Sequence, residues 1–155
     1  MPTLARGAMR RTALLLSLAL AGTGAPRAVT AQDLMTSVSD KHMESVLSDM
    51  GLTFSKGKQD HTWKVTLGDQ NVILSLKNDN TDALLYTYID VVTSPSKMNE
   101  WNKSKRFSRA YSDDDSNPSI ESDLDFAGGV SDETIKAWIK LYKTGVAQFA
   151  TFVKS

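Results

Sequence analysis

Residues 62–76 read TWKVTLGDQNVILSL, and this stretch decides the fold class. In its first half apolar residues alternate with polar ones, which is typical of a β-strand with one buried face. Residues 68–71 then offer a turn, and NVILSL supplies a second strand. Because so short a connection joins neighbouring antiparallel strands, the sequence predicts a β-hairpin here.

Further strand patterns lie on both sides of this hairpin. The stretch ALLYTYIDV at 83–91 predicts a third strand, so that a meander covers residues 53–92. A second hairpin is predicted from RFSRAYS at 106–112, the turn DDDSNP at 113–118 and SIESDLDF at 119–126. The pattern therefore predicts an antiparallel sheet of about five strands.

Three amphipathic helices complete the predicted domain. Apolar residues recur at helical spacing from Leu34 to Met50, and a second helix is expected from Ser94 to about Lys103. Ser131 is a good N-cap for a third helix, and helical spacing places Trp138 and Phe149 on its apolar face. The order α-β-β-β-α-β-β-α predicts an α+β fold with the helices packed on one face of the sheet.

The N-terminal 31 residues have the features of a secretory signal peptide. A basic region ending at Arg11 precedes the apolar run Ala13–Ala21, and Val29 and Ala31 are small residues suited to signal peptidase. We expect cleavage after Ala31, a periplasmic or secreted location and a single mature domain over residues 32–155. The apolar run is too short to span a membrane, so we expect no stable membrane insertion after cleavage. The alternative, a buried or amphipathic N-terminal helix, fits less well because the run has no polar face.

The charge and cysteine content narrow the classes of function. Residues 32–155 contain 18 acidic and 14 basic side chains, a net charge of about −4. The basic residues form no stripe, so no nucleic-acid partner is predicted. The chain contains no cysteine, which excludes disulfides, thiol nucleophiles and thiolate metal sites.

No pattern in the chain predicts a catalytic, cofactor or metal site. Neither His42 nor His61 lies near an H-E-x-x-H or G-x-S-x-G motif, so we expect both at the surface. Glu121, Asp123 and Asp125 form a carboxylate stripe with members about 7 Å apart along a strand. An exposed stripe of this kind is explained by pairing with nearby basic side chains.

The acidic turn at 113–118 imitates the start of an EF-hand loop. Asp113, Asp115 and Asn117 have the spacing of its first ligands, but the sixth position is Pro118 instead of glycine and the twelfth is Leu124 instead of glutamate. We interpret it as a hairpin turn and not as a calcium site.

The best candidate site lies in residues 99–111, which read NEWNKSKRFSRAY. Its candidate partner-binding residues are Trp101, Phe107, Arg109 and Tyr111. Met98 and Trp101 share one face of the second helix. The cluster could be a binding site or a part of the core.

Strand register decides which of these side chains share a face. Pairing Tyr111 with Ile120 would also pair Phe107 with Leu124 and would place Arg109 on the apolar face, across from Ser122. Arg106 would then lie opposite Asp125. A guanidinium on the apolar face needs a partner, because burying it unpaired is costly. Arg109 is then either a core arginine satisfied internally or a polar anchor for a partner.

Several motifs in order resemble the YbjN family. They are MNEWN at 98–102, RFSRAY at 106–111 and GGV at 128–130, with an acidic turn and alternating acids between them and a C-terminal amphipathic helix after them. The resemblance covers residues 33–153. It implies a fold like that of type III secretion chaperones and the role of a sensory transduction regulator, and it brings no catalytic residues.

The function expected from these observations is a non-enzymatic, chaperone-like module that binds a protein or an extended peptide segment. Homo-oligomerisation stays open. One alternative is a small-ligand or cation sensor, for which Trp63, Tyr86, Tyr88 and Trp101 would line a pocket. A hydrolase using paired carboxylates is a further alternative.

Overall fold

The computed structural model describes residues 34–155 of the chain. The predicted signal peptide and its cleavage site lie outside the described residues. In chain order the elements are α1 Asp40–Asp49, β1 Phe54–Lys56, β2 Thr62–Leu67, β3 Gln70–Lys77, β4 Asp82–Tyr88, α2 Pro95–Ser104, β5 Arg109–Ser112, β6 Pro118–Asp125 and α3 Asp132–Lys154. Within the described part of the chain, no helix is both long and apolar enough to cross a membrane.

The six strands form one sheet in the order β1-β2-β3-β4-β6-β5, and all neighbouring strands are antiparallel. The predicted α+β class is confirmed, but the sheet has six strands instead of five. The additional strand is β1, in which Phe54 pairs with Val65 of β2. A strand of three residues is too short to show the alternation by which strands are recognised.

Strand alternation separates two faces of the sheet. Trp63 and Val65 of β2 point to the core, as do Leu74 of β3 and Leu85 of β4, and all four are buried. A row of intervening residues points to the outer face: Lys64, Ile73, Tyr86, Glu121 and Arg109 are neighbours across five strands. We use the term outer face for this side of the sheet, which is the side away from the core.

The longest helix, α3, lies on the core face. The Trp138 indole N–H donates to Ser122 Oγ of β6 at 3.0 Å, and the Tyr142 hydroxyl donates to the Ile120 carbonyl at 2.8 Å. Trp138 and Phe149 are buried, which confirms their assignment to the apolar face of this helix. α3 therefore covers the half of the sheet that contains β6.

The two shorter helices contact the same layer. The Trp63 indole N–H, on the core face of β2, donates to Glu44 of α1 at 3.1 Å. The ring of Trp101 in α2 packs edge-on against Phe149 of α3, with ring centroids 5.0 Å apart. The expectation that the helices pack on one face is thereby confirmed.

Capping residues set the helix ends. Ser39 caps α1 by accepting a hydrogen bond from His42 N–H, so the helix begins later than Leu34, where the apolar pattern starts. Met35 instead forms a β-bridge with Val130. Gly51 has a φ of 65° just past α1, as expected for a glycine that ends a helix.

Candidate protein-binding site

The candidate residues 99–111 do not gather at one place. Trp101 is only 1% exposed and packs between Phe149 and Phe152 of α3, and its indole N–H donates to Ser108 Oγ at 3.3 Å. Its place in the core follows from its position beside Met98 on the inner face of α2. Trp101 therefore supports the fold and does not share a groove with Arg109.

The register of β5 and β6 differs by one residue from the expected one. Arg109 pairs with Glu121, Ala110 with Ile120 and Tyr111 with Ser119. A shift of one residue reverses the face of every side chain in the strand. The expectation that Arg109 lies on the apolar face across from Ser122 is therefore wrong, and Arg109 lies on the outer face.

The turn between the two strands explains this register. Asp113 N–H donates to the Asn117 carbonyl at 3.0 Å, and the Asp113 carboxylate accepts from the backbone N–H groups of Asp115 and Asn117. Because the turn closes on the pair Asp113 and Asn117, each pair further along the hairpin keeps the same spacing. The resemblance to an EF-hand thus reflects a turn held by its own side chains.

On the outer face, Glu121 lies at the centre of a polar cluster. Its side chain is 10% exposed, and its carboxylate contacts the guanidinium of Arg109. The Tyr111 hydroxyl donates to the same carboxylate at 3.0 Å. Burial, the hydrogen bond to Glu121 and the negative charge of that carboxylate raise the pKa of Tyr111 to about 12. The cluster satisfies a nearly buried charge and leaves Arg109 itself largely in solvent.

On the N-terminal side of Arg109, the chain turns away from β6. Phe107 has a φ of 65°, an unfavourable conformation for a residue with a side chain, and it is 72% exposed. Since β5 begins only at Arg109, residues 122–125 of β6 are paired with β4 alone. We call residues 122–125 the open edge.

Backbone groups at the open edge point outward. Ile89 N–H donates to the Pro118 carbonyl and Phe126 N–H donates to the Thr81 carbonyl, so the even-numbered residues of β6 bond towards β4. In an antiparallel strand the intervening residues direct their backbone groups to the opposite side. The N–H and C=O of Asp123 therefore face the side from which β5 has departed.

An apolar groove of about 500 Å³ lies beside the open edge, between β6 and α3. We call it the edge groove; its apolar lining residues are Phe107, Leu124, Ala137, Trp138 and Leu141, and its polar ones are Ser108, Arg109, Ser122, Asp123 and Thr134. Leu141 is 46% exposed, although it lies in a helix whose other large apolar residues are mostly buried. Exposed apolar side chains beside unpaired backbone groups are the two components of a site for an extended peptide.

The outer side of the open edge is acidic. Asp123 and Asp125 extend the row of carboxylates that begins with Glu121. Partial burial and the negative charges of Glu121 and Asp82 raise the pKa of Asp123, although Arg109 opposes this change. Asp123 thus carries its charge in unfavourable surroundings.

The residues expected to line a sensor pocket lie on different faces of the sheet. Trp63 and Trp101 are buried in the core, whereas Tyr86 is on the outer face and Tyr88 is 53% exposed. They do not form a common pocket.

The two histidines each contact one aspartate: His42 Nε2 lies 2.7 Å from Asp132, and His61 Nδ1 lies 2.6 Å from Asp40.

Of the four predicted site residues, Phe107 and Arg109 border the edge groove, Tyr111 lies in the Glu121 cluster and Trp101 lies in the core. Sequence reasoning missed Leu141 and the open edge. Leu141 fits the pattern of an ordinary helix residue, and a missing pairing partner along one side of a strand leaves no signal in the local sequence. The alternation of Glu121, Asp123 and Asp125 indicates that one face of β6 is polar, but it does not reveal that an edge of the strand is unpaired.

Comparisons with known proteins place the chain in a family. The model of the YbjN family, described as "Putative bacterial sensory transduction regulator", matches residues 39–155. The crystal structure of YbjN from E. coli is similar at a TM-score of 0.62 with 16% identity, covering 77% of this chain and 91% of that one. The Yersinia pestis type III secretion chaperone SycH, solved in complex with a stable fragment of YscM2, is similar at a TM-score of 0.53 with 16% identity, covering 71% of this chain and 94% of that one. No protein of curated function matches the chain. The expected resemblance is confirmed: the chain belongs to the YbjN family, and it has the α+β fold of type III secretion chaperones.

Proposed function

We propose that this protein is a non-enzymatic binding module that holds an extended segment of a partner protein at the open edge of β6. The observation that carries the proposal is the position of the open edge directly beside the edge groove. A segment paired with Asp123 would gain backbone hydrogen bonds, and its alternate side chains would enter an apolar groove. The structure of SycH with a fragment of YscM2 supports a protein partner for this fold.

A hydrolase that uses paired carboxylates on the same surface is a less well supported candidate function. Both carboxylate oxygens of Glu121 already accept a hydrogen bond, one from Arg109 and one from Tyr111, so this acid is held as a structural acceptor. A pair of carboxyl groups that act as acid and base needs distinct environments around a shared cleft. The row of acids on β6 stands instead on an open sheet face.

We further propose that the protein acts in the periplasm or outside the cell after residues 1–31 are removed. The basic start, the apolar run and the small residues before Gln32 support this location. N-terminal sequencing of the exported protein should then begin at Gln32. Recovery of the folded protein from the cytoplasm with Met1 still present would contradict the proposal.

Site-specific photocrosslinking tests the binding role. Benzoylphenylalanine in place of Phe107 should crosslink the exported protein to one defined segment of a partner, because this side chain borders the edge groove. The same photoreactive residue in place of Val92 is a matched control, since Val92 is 87% exposed and lies outside the groove. Equal crosslinking from both positions, or none from position 107, would argue against the site.

A further inference from the structure

We infer that the segment bound at the open edge alternates apolar residues with lysine or arginine, the apolar ones facing the edge groove and a basic one lying beside Asp123. This inference rests on the proposed function and specifies the chemistry of the partner. It follows from the different surroundings on the two sides of the open edge.

The groove side of the open edge selects apolar residues. In an added strand, the residues opposite Ser122 and Leu124 would point to the same face as these two side chains, towards α3. There they would meet Trp138, Leu141 and Phe107. On this side the Ser122 hydroxyl accepts a hydrogen bond from the Trp138 indole, and the remaining wall towards α3 is formed largely by the apolar side chains of Leu124, Ala137 and Leu141.

The outer side of the open edge selects a positive charge. The residue opposite Asp123 would have Glu121 and Asp125 as its diagonal neighbours on β6. Arg109 compensates Glu121, but among residues 34–155 neither Asp123 nor Asp125 takes part in an ion pair. Partial burial and the negative charges of Glu121 and Asp82 raise the pKa of Asp123, although Arg109 opposes this change, and an incoming cation would relieve the repulsion.

The same charges disfavour a second copy of this chain as the occupant. Two open edges paired about a two-fold axis would bring Asp123 and Asp125 against the same residues of the other copy. Like charges directly opposite each other destabilise an antiparallel pair. The edge is therefore suited to a basic partner.

Synthetic peptides that share their apolar positions test the inference. The mature chain, residues 32–155, is titrated with peptides that alternate valine with lysine, valine with serine or valine with glutamate. A fourth peptide has the valine–lysine composition with the valines placed together. Fluorescence anisotropy gives the affinities, and backbone amide NMR locates the binding. We expect the alternating valine–lysine peptide to bind at least about tenfold more tightly than the valine–glutamate peptide and to shift the Asp123 amide.

Two variants separate local recognition from overall charge. Asp123→Asn should weaken binding of the valine–lysine peptide by about tenfold and leave the valine–serine peptide unaffected. Asp114→Asn removes the same charge at an exposed position of the hairpin turn and should change neither affinity. Equal losses in the two variants would attribute the preference to net charge and overturn the inference.

The outcomes also separate this inference from the proposed function. If all three alternating peptides bind the open edge equally, the edge is a binding site and the charge preference is wrong. If no peptide shifts the amides of residues 122–125 while benzoylphenylalanine at position 107 still crosslinks a partner, the alternating pattern is wrong and the site stands. If both experiments are negative, the proposed function fails together with the inference.

Discussion

Arg109 and Glu121 face each other across β5 and β6, and the guanidinium of Arg109 contacts the carboxylate of Glu121. Their surroundings differ, because the Arg109 side chain is 72% exposed and that of Glu121 only 10%. Arg109 is therefore not a core arginine. It is an exposed cation that compensates a nearly buried acid. Removing it should therefore lower the free energy of unfolding only modestly.

Replacing Arg109 with alanine should lower the free energy of unfolding by about 1 kcal/mol. The loss is modest because solvent screens the exposed guanidinium and because Tyr111 still donates to Glu121. Arg109→Lys retains the charge and should lose less. Urea denaturation of both variants measures the difference, and a loss of several kcal/mol for the alanine variant would mean that Glu121 depends on Arg109 alone.

Trp101→Ala should lower the free energy of unfolding by about 3–5 kcal/mol. The side chain is fully buried against two phenylalanine rings of α3, so its removal leaves a cavity where α2 joins the core. Chemical denaturation followed by circular dichroism checks the value. A loss below about 1 kcal/mol would show that α2 packs independently of α3.

Phe107→Gly should stabilise the protein by about 0.5–1 kcal/mol while removing a wall of the edge groove. Glycine adopts a φ of 65° without strain, and the exposed ring contributes little burial. Phe107→Ala is the control, because alanine keeps the strained conformation and also lacks the ring. Thermal melts should show a higher Tm for the glycine variant than for the alanine variant, and equal values would mean that the conformation costs nothing.

Tyr111 should ionise near pH 12, and Glu121→Gln should bring its pKa down towards the ordinary value of 10. Burial remains in that variant, so the pKa falls only in part. Since the folded-state pKa is raised, the stability contributed by protonated Tyr111 is present below pH 10 and is lost as the pH rises towards 12. NMR of ring-labelled tyrosine, with Tyr111→Phe to assign the signal, follows the titration; an unchanged pKa in Glu121→Gln would contradict the role of the carboxylate.

Asp123→Asn should raise the Tm at neutral pH and have little effect in acid. The raised pKa means that the folded protein holds the carboxyl proton more tightly than the unfolded chain does. This contribution to stability is complete below the unfolded pKa of 3.8 and is lost as the pH rises through the folded value. Melts from acid to neutral pH should show the two proteins diverging in this direction, with Asp114→Asn as a control for net charge. A lower Tm for Asp123→Asn at neutral pH would contradict the argument.

Local patterns were sufficient to predict most of the elements. The alternation in residues 62–67 and the turn that follows predicted a hairpin, and the structure pairs Val65 with Val72 and Leu67 with Gln70 around that turn. Ser131 caps α3 as expected, because capping depends only on residues within one helical turn. β1 could not be predicted in this way, since a strand of three residues is too short to show the alternation of apolar and polar side chains.

By itself, the sequence determined the α+β class, the order of the long elements and the burial of residues such as Trp138 and Phe149. These follow from periodicity and capping, which act over a few residues. Only the tertiary structure decided which face Arg109 occupies, because the turn at 113–117 sets a register that differs by one residue from the expected one. It also decided that β5 begins only at Arg109 and leaves residues 122–125 of β6 unpaired on that side, because the chain turns away at Phe107 in a strained backbone conformation that the strand pattern does not reveal.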